Sequence, residues 1–390
     1  MVSPPRSGDK VAAGGGVLVT ARKFAETYIA PKASAWEREG AVPRRAFEDA
    51  ATAGLRGILV PNDFGGCGLG FTEALEVLEA LAGANAAFAF ALWVHNNATN
   101  TVARSGTDFH RNAYLEDMLK GSHIGAFCLT EPDAGSDAAA ITTHAERHDD
   151  GWTLNGTKSW VTNGAQADIL LVFAQTNPGA GVLGIAAFLV PADRPGANRT
   201  PAYDLPGAAA FGLSDIIFED CKLSEDDLLL QPGEGFRAAM AGINQARTFV
   251  GALCCGMLGS SLETALKYAA SRSAFGKSTL EFQGVQWPLA DVATDLEAAR
   301  LLTRHAAEAL DRGETAITPA AHAKKFASRA AFDGVSNCMQ AMGAAGLRDT
   351  YPLSRHLVTA KMTHFLDGTT EIQNVVIARA LMAQHGIKIE

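Results

Sequence analysis

Residues 129–137 read Leu-Thr-Glu-Pro-Asp-Ala-Gly-Ser-Asp, and residues 157–164 read Thr-Lys-Ser-Trp-Val-Thr-Asn-Gly. The first stretch is a turn-rich loop whose hydroxyls and backbone N–H groups can hydrogen-bond the polar edge of a flat heterocycle or a phosphate chain. The second ends a strand with Trp160 and Thr162, which are two positions apart and are therefore expected on one face of the sheet. A ring that stacks beside a hydroxyl suits a flavin, although each stretch alone also fits ordinary turn or hairpin structure.

The chain on either side of these stretches is predicted to be helical. From about residue 17 to residue 121 apolar residues recur at helical spacing, and from about residue 233 long helices return. Between about residues 124 and 230 the pattern is that of strands, with hairpin turns expected at Asp149-Asp150-Gly151 and Asn155-Gly156. The strands therefore form a small β domain between two helical domains.

Four long helices are predicted in the C-terminal part of the chain. They are Gln245–Ser271, Gln283–Arg312, a helix from Thr318-Pro319 to Met342, and one opened by the capping box Thr370-x-x-Gln373. Four such helices are typical of a bundle.

The composition excludes several classes of protein. Lys and Arg number 33 against 42 Asp and Glu, a net charge of −9, which argues against a nucleic-acid-binding face. Hydrophobic residues make up 47% and charged residues only 19%, which excludes intrinsic disorder and indicates a large core or buried subunit interfaces. The six cysteines include no C-x-x-C pair, so we expect reduced, buried thiols.

No targeting or membrane-spanning segment is expected. The longest apolar run, Ala86–Val94, is shorter than the ~20 residues that cross a bilayer. Met1–Gly16 is rich in Gly, Pro and Ser and lacks the apolar region of a signal peptide. We therefore expect a flexible tail on a cytoplasmic protein.

Two further patterns contain residue types that are common in ligand sites, glycines in one and histidines in the other, but their spacing does not fit such sites. Gly66, Gly68 and Gly70 do not fit the G-x-G-x-x-G spacing of dinucleotide loops, and no βαβ unit surrounds them. His144 and His148 have the helical spacing of metal ligands, but in a strand they would be ~13 Å apart. Neither pattern is expected to bind a ligand, and no metal site is predicted.

Taken together, the stretches at 129–137 and 157–164 resemble highly specific motifs of the acyl-CoA dehydrogenase family. Arg272–Lys277, Phe282-Gln283 and Gln340–Gly346 match further family motifs, so that the resemblance covers nearly the whole chain. It implies non-covalently bound FAD and a homotetramer built from dimers, with a homodimer as the alternative.

The resemblance also implies the domain organisation of an α+β fold. The expected segments are a flexible tail at 1–16, an α-helical N-terminal domain at 17–123, a middle β-barrel domain at 124–232 and a C-terminal four-helix bundle at 233–390.

Carried over position by position, the resemblance assigns residues to the cofactor and to the substrate. Cofactor-binding residues are expected at Phe127, Leu129, Thr130, Ser136, Trp160, Thr162, Arg272, Phe275, Gln283, Gln340, Gly343, Thr369 and Glu371. Of these, Arg272, Phe275 and Gln283 would reach the FAD of a neighbouring subunit, where a bidentate arginine suits a pyrophosphate. Substrate-binding residues are expected at Ser136, Asn244, Arg247, Leu366 and Gly368.

The implied reaction is α,β-dehydrogenation of an acyl thioester, in which a carboxylate removes the α-proton and the β-hydrogen leaves as hydride to flavin N5. Most of the family has a glutamate before Gly-Thr as this base, whereas this sequence has Asp367. The other known location, just before the arginine, holds Ala246, so Asp367 is the candidate catalytic base. Its side chain reaches about 1.5 Å less than glutamate. An alternative role for Asp367 is to cap the helix that begins at Thr369-Thr370.

Further departures from the family pattern concern the acyl end of the substrate. Asn244 replaces the usual acidic residue that contacts the pantetheine, and Leu366 replaces a common aromatic beside the base. Asn97 falls where apolar pocket residues often lie. A more polar lining predicts a short or oxygenated acyl group.

Three functions are compatible with the sequence. The first is an FAD-dependent oxidoreductase that dehydrogenates a CoA-bound or acyl-carrier-protein-bound thioester in lipid or secondary metabolism and passes electrons to an electron-transfer flavoprotein. The second is a flavin-dependent oxidase or monooxygenase, because nitroalkane oxidases of the same superfamily use an aspartate base. The third is a catalytically silent acyl-CoA-binding or assembly subunit, against which the intact flavin set argues.

Overall fold

The computed structural model describes the backbone of residues 7–387 and the side chains of residues 15–387. Within that range the α-helices are α1 (Ser7–Phe24), α2 (Ala33–Glu39), α3 (Arg45–Ala50), α4 (Phe71–Ala84), α5 (Ala86–Ser105), α6 (Asp108–His110), α7 (Glu116–Lys120), α8 (Glu234–Ser271), α9 (Gln283–Asp311), α10 (Ile317–Met342), α11 (Leu353–Thr363) and α12 (Thr370–Gln384). Short 3-10 and π-helical segments connect several of them.

The strands lie between α7 and α8, apart from a two-stranded hairpin that follows α8. They are β1 (Gly125–Cys128), β2 (His144–His148), β3 (Gly151–Val161), β4 (Ile169–Gln175), β5 (Ile185–Pro191), β6 (Ala197–Arg199), β7 (Ser214–Leu223), β8 (Leu228–Leu230), β9 (Ser273–Ala274) and β10 (Lys277–Ser278). The first eight form one sheet in the order β6-β7-β3-β2-β4-β5-β8, with β1 parallel to β4. The helix–sheet–helix order confirms the predicted α+β fold class.

Strand β4 shows why this sheet lies inside the protein. All of its residues are buried, as expected for an uninterrupted apolar run covered on both faces. Leu171 and Phe173 belong to an apolar cluster shared with the N-terminal helices, whereas Leu170 and Val172 belong to a second cluster formed by the other strands. The alternation of side chains along one strand therefore joins the β domain to the helices on one face and closes its own core on the other.

The N-terminal helices and the C-terminal bundle share one hydrophobic core. That cluster joins Phe24 and Phe88 from the first helical region to Phe249, Leu296 and Ala331 of the bundle. Burial of this extent across two helical regions accounts for part of the low charge content noted in the sequence.

The N-terminal ends of four helices differ from the predictions. Helix α8 begins at Glu234 and not at Gln245, so it is eleven residues longer than predicted. Helix α1 begins at Ser7 and so includes part of the segment 1–16 that was predicted as a flexible tail, while residues 1–6 lie outside the described range. Helix α10 begins at Ile317, so Pro319 lies in the first turn, where no backbone donor is needed. The cap of α12 is Thr369, whose Oγ1 accepts from Ile372 N at 3.4 Å, one residue earlier than predicted.

The predicted turn at Asn155-Gly156 is wrong. The β2–β3 hairpin turns at Asp149-Asp150, and Asn155 and Gly156 lie inside β3 at a bulge in its pairing with β7. Gly156 has φ 139°, and a Cβ there would come within 2.6 Å of Thr143 Cα. The glycine is required by a close approach between strands and not by a turn.

Helix α8 is the one helix among the described residues that is long and apolar enough to cross a membrane by composition. In its most apolar window 72% of the residues are buried inside the fold, as in the core helix of a bundle.

Candidate active site

A buried ion pair joins the two motif stretches. Lys158 Nζ lies 2.7 Å from Glu131 Oε1 and donates to Leu129 O at 3.0 Å. The Glu131 carboxylate also accepts from Thr142 N at 2.6 Å and from Thr143 N at 2.9 Å. The side chains of Lys158 and Glu131 are 0% and 4% exposed. The ion pair therefore holds the 129–137 loop, which carries Glu131, against strand β3, which carries Lys158.

Burial lowers the pKa of the Lys158 amine, and the neighbouring Glu131 carboxylate opposes that effect. Burial acts to raise the pKa of the Glu131 carboxyl, but the Lys158 charge and the hydrogen bonds from Lys158, Thr142 and Thr143 outweigh it and hold that pKa at about 2. Because both charges are removed from water, the loss of either partner would leave the other uncompensated.

Backbone contacts continue this connection between the motifs. Ser159 N donates to Thr130 O at 2.8 Å, which places Thr130 beside the strand that carries Trp160. Asn163, with φ 65°, donates from Nδ2 to Ala91 O of α5 at 3.0 Å and to Gly125 O at 3.1 Å. The two motif stretches are thus brought together, as predicted, and are fixed to α5.

The Trp160 ring projects from the protein surface. It is 56% exposed, and its backbone has φ 57° where β3 leaves regular pairing with β7. Tyr203 supports it edge-on with ring centroids 4.7 Å apart, accepts from Trp160 N at 3.3 Å, and donates to Asp215. Thr162 is buried at 7% exposure. The strand alternation that predicted Trp160 and Thr162 on one face does not apply, because the positive φ interrupts it.

The inner end of the motif loop approaches α8. Phe127 packs against Phe173 with centroids 4.9 Å apart. A Cβ on Gly242 of α8 would lie 3.9 Å from Phe127 Cε2 and 3.8 Å from Asn97 Nδ2 of α5. Leu129 is buried and Thr130 half-buried, whereas Ser136 is exposed at the outer end of the loop.

Asp367 lies in a tight turn between α11 and α12. Its φ of 51° is in the left-handed region, and Gly368 follows with φ 92°. Arg247 of α8 donates from Nε to Asp367 O at 3.0 Å and from Nη1 to Asn244 Oδ1 at 3.1 Å. Asp367, Gly368, Arg247 and Asn244 are therefore brought together as predicted, with Leu366 half-buried beside them.

The Asp367 carboxylate is withdrawn from water and unpaired. Its Oδ2 is buried and has no hydrogen-bond partner among the described residues, although the residue as a whole is partly exposed. Burial raises the pKa of the Asp367 carboxyl to about 6, against the opposing effect of the Lys324 and Arg247 charges. Since Thr369 supplies the side-chain cap of α12, helix capping does not account for Asp367. A buried carboxylate without a partner is suited to accept a proton from a ligand.

Five of the predicted cofactor residues lie elsewhere on the chain. Arg272, Phe275 and Gln283 surround the β9–β10 hairpin, and Gln340 and Gly343 lie at the end of α10; all five are exposed, Phe275 to 96%. From Arg247 to Ser271 helix α8 continues for 24 residues, about 36 Å at 1.5 Å per residue. The hairpin is therefore too far from Arg247 to contribute to the same substrate site.

The remaining cofactor candidates lie at the start of α12. Thr369 uses its hydroxyl as the helix cap, and Glu371 lies in the first turn with its side chain exposed.

Three residues of this region had no assigned role in the sequence, and a fourth, Gln373, was expected in a capping box but donates to Gly368 O and Thr369 O instead. Lys158 and Glu131 stand inside the motifs, and their opposite charges were a signal of pairing. Lys324 and Gln373 contact the Asp367 turn from two helices. The sequence signal for Lys324 is its position among the small apolar residues that mark a buried helix face, as at Ala320, Ala323 and Ala327.

Metal and thiol chemistry find no support in the described part of the chain. No group of three potential metal ligands occurs there, and His144 and His148 lie at the two ends of β2, as predicted. Cys128 is buried, and burial raises the pKa of its thiol to about 12. It is an unreactive packed thiol.

Three protein-family models match the chain in consecutive order. The acyl-CoA dehydrogenase N-terminal domain matches residues 17–122, the middle domain matches residues 126–221, and the C-terminal domain matches residues 233–382.

Individual relatives match along nearly their whole length. An acryloyl-CoA reductase (NADH) of Anaerotignum propionicum is 37% identical over 93% of this chain and 92% of its own. The structure of butyryl-CoA dehydrogenase from Megasphaera elsdenii superposes with a TM-score of 0.91 at 31% identity, covering 98% of this chain and 100% of that one. A glutaryl-CoA dehydrogenase from Mycobacterium smegmatis, solved with FADH2, has a TM-score of 0.90 at 27% identity over 97% and 95% of the two chains.

Proposed function

This chain is an oxidoreductase of the acyl-CoA dehydrogenase family, and we propose that it catalyses FAD-dependent α,β-dehydrogenation of an acyl thioester with Asp367 as the base. The observation that carries the proposal is the buried, unpartnered Oδ2 of Asp367 in a turn anchored by Arg247. The thioester is carried by CoA or by an acyl carrier protein.

The residues of the motif site suit FAD. Trp160 offers an exposed ring held in place by Tyr203, and the loop that carries Thr130 is hydrogen-bonded to the neighbouring Ser159 through Thr130 O. A stacking surface next to polar groups matches a ring system with apolar faces and a polar edge. When bound, FAD supplies the acceptor for the hydride that leaves the β-carbon.

In the proposed reaction the Asp367 carboxylate removes the α-proton of the acyl group. A carboxylate must lie within ~3 Å of the proton it abstracts, in a site that excludes water. Burial of Asp367 raises its pKa to about 6, so that it is ionised at neutral pH yet a stronger base than an exposed aspartate. The shorter reach of aspartate has to be made up by the position of the turn or of the substrate, because a 1 Å misplacement costs about 100-fold in rate.

A short acyl group is supported by the packing between α5 and α8. Trp93 of α5 stacks on Phe249 of α8 with ring centroids 3.4 Å apart, and Asn97 lies one turn further along α5. We place the acyl group between α5 and α8, where a stacked pair of large rings next to a polar amide would leave little apolar room for a long chain. The butyryl- and glutaryl-CoA dehydrogenases among the relatives also take their names from short acyl groups.

A chain-length series tests this pocket. Among straight acyl-CoA thioesters, we expect the fastest flavin reduction at six carbons or fewer, and we expect Trp93→Ala to move the optimum to longer chains because it removes one ring of the stack. Phe109→Ala, at an exposed ring of the N-terminal region, is the matched control and should leave the optimum in place. Fastest reduction of C8 or longer chains by the unsubstituted protein would contradict the proposal.

Assembly and electron transfer complete the proposed function. The exposed Arg272, Phe275 and Gln283 lie about 36 Å along α8 from their own Arg247, which supports a role at the FAD of a neighbouring subunit. We therefore propose a homodimer or a homotetramer that passes electrons to an electron-transfer flavoprotein, and a cytoplasmic location.

Anaerobic mixing of the purified protein with CoA-bound and carrier-bound acyl thioesters tests the reaction. Bleaching of the flavin absorbance without peroxide formation is the expected result. Rapid peroxide formation in air without an added acceptor would instead indicate an oxidase or monooxygenase. A colourless protein that binds thioesters would indicate a silent binding subunit and would overturn the proposal.

A further inference from the structure

A buried lysine contacts the Asp367 turn from the bundle. Lys324 of α10 is 0% exposed, and its Nζ donates to His364 O at 3.1 Å and to Gly368 O at 2.7 Å. These two carbonyls precede and follow Asp367 in the chain. The ammonium group, which comes from α10, therefore connects the residues on either side of Asp367.

Neighbouring donors complete a set of anchors. Gln373 of α12 donates from Nε2 to Gly368 O at 2.9 Å, and Thr370 N donates to His364 O at 3.0 Å. Together with the bond from Arg247 to Asp367 O, they hold a turn whose left-handed φ at a non-glycine residue is intrinsically unfavourable.

Lys324 is fully buried, and the acceptors of the two hydrogen bonds from its Nζ are backbone carbonyls and not a carboxylate. A buried cation is unfavourable unless hydrogen bonds and a nearby negative charge offset its desolvation. The carbonyls of the turn supply the hydrogen bonds, and Asp367 is the acidic group whose charge acts most strongly on it.

We propose that Lys324 is a positioning residue that fixes the left-handed turn at Asp367 and places a buried positive charge behind the catalytic carboxylate. The proposal rests on the proposed function, since it assigns Lys324 a role through the base. Burial lowers the pKa of the Lys324 amine to about 8, and the Asp367 carboxylate opposes that effect, so Lys324 is charged at neutral pH.

Other charged or titratable groups face Lys324 and Asp367. Arg247 and Cys254 project from α8, Glu371 from α12, and His364 from the turn itself. Arg247 also favours ionisation of Asp367, so removal of Lys324 alone should shift the titration of the base without abolishing its charge at high pH.

The test separates charge from hydrogen bonding by four substitutions. Lys324→Gln keeps N–H donors without the charge, Lys324→Met removes both, and Lys324→Arg keeps both. Gln373→Leu removes a neutral donor from the same Gly368 carbonyl. Lys325→Gln is the matched control, because Lys325 is the next residue on α10 and is exposed.

The measurement is anaerobic flavin reduction by a short acyl-CoA as a function of pH, expressed as the rate constant over the dissociation constant, together with FAD content and Tm. The unsubstituted protein should lose activity below about pH 6, where Asp367 is protonated. We call this loss of activity the acidic limb of the pH–rate profile. In Lys324→Gln the limb should move up by about one pH unit, because loss of a nearby positive charge raises the pKa of the Asp367 carboxyl. The rate at pH 6 should then fall about fivefold.

The other variants define the outcome. Lys324→Arg and Lys325→Gln should keep the limb in place, and Gln373→Leu should lower the plateau rate without moving the limb. An unmoved limb in both Lys324→Gln and Lys324→Met would overturn the proposal. Loss of FAD or of folding in both would also contradict it, because it assigns Lys324 to the turn and not to the bundle.

Asp367→Asn, measured in the same experiment, distinguishes a failure of the proposed base from a failure of the proposed role of Lys324. If Asp367→Asn still reduces its flavin, the assignment of the base is wrong. If Asp367→Asn is inactive while the limb of Lys324→Gln is unmoved, only the role of Lys324 is wrong.

Discussion

Asp367→Asn should bind FAD normally and reduce it at least about 1,000 times more slowly than the unsubstituted protein, within the range expected for loss of a positioned general base. The amide has nearly the same shape as the carboxylate but cannot accept the α-proton. The hydrogen bonds that hold the turn are donated to backbone carbonyls, by Arg247 to Asp367 O and by Lys324 to Gly368 O. They would therefore remain in Asp367→Asn.

The experiment is anaerobic single-turnover mixing with the acyl thioester that reduces the unsubstituted protein fastest. FAD content and Tm show that the variant is folded. Asp291→Asn, at an exposed aspartate of α9, is the matched control and should reduce its flavin at the unsubstituted rate. An unchanged rate of flavin reduction in Asp367→Asn would show that Asp367 is not the base.

Lys158→Met should lower the free energy of unfolding by about 3–5 kcal/mol, because it leaves the buried charge of Glu131 without its partner. The same substitution frees the loop at Leu129 and Thr130, so weaker retention of FAD is expected as well. Lys120→Met removes an exposed lysine from a surface pair and should change stability little.

Urea unfolding and FAD content after gel filtration measure both effects. The double variant Glu131→Gln/Lys158→Met should recover part of the lost stability, because it removes the uncompensated charge. A single variant as stable as the unsubstituted protein would show that the ion pair does not hold the motifs together.

The same ion pair predicts acid sensitivity. The pKa of Glu131 is held at about 2 in the folded protein, below its value of 4.5 in an unfolded chain. The stability that this pair contributes is therefore present above about pH 4.5 and is lost as the pH falls towards 2.

The local features of the sequence predicted most of the architecture. Apolar spacing predicted the helices on either side of a β segment between about residues 124 and 230, and the strand β4 within that segment is an apolar run buried on both faces. The motif at 157–164 was correctly placed at the end of a strand, and Asp367 was identified as the candidate base from its position before Gly-Thr. These features depend on residues that are close together in the chain.

Other features depended on contacts between distant segments. The Asn155-Gly156 pair has the composition of a hairpin turn, but the approach of Thr143 places it inside a strand. Trp160 is exposed while Thr162 is buried, because a left-handed residue breaks the alternation on which the prediction relied.

The sequence by itself determined the fold class, the two motif stretches and the identity of the candidate base. Only the tertiary structure decided the environment of that base, since Lys324 lies 43 residues away from Asp367 in the chain and meets its turn through the packing of α10 on the end of α11. The physical reason is that motifs and periodicity are short-range properties, whereas the burial that raises the pKa of Asp367 and the charge that opposes it exist only when separate helices enclose the same carboxylate.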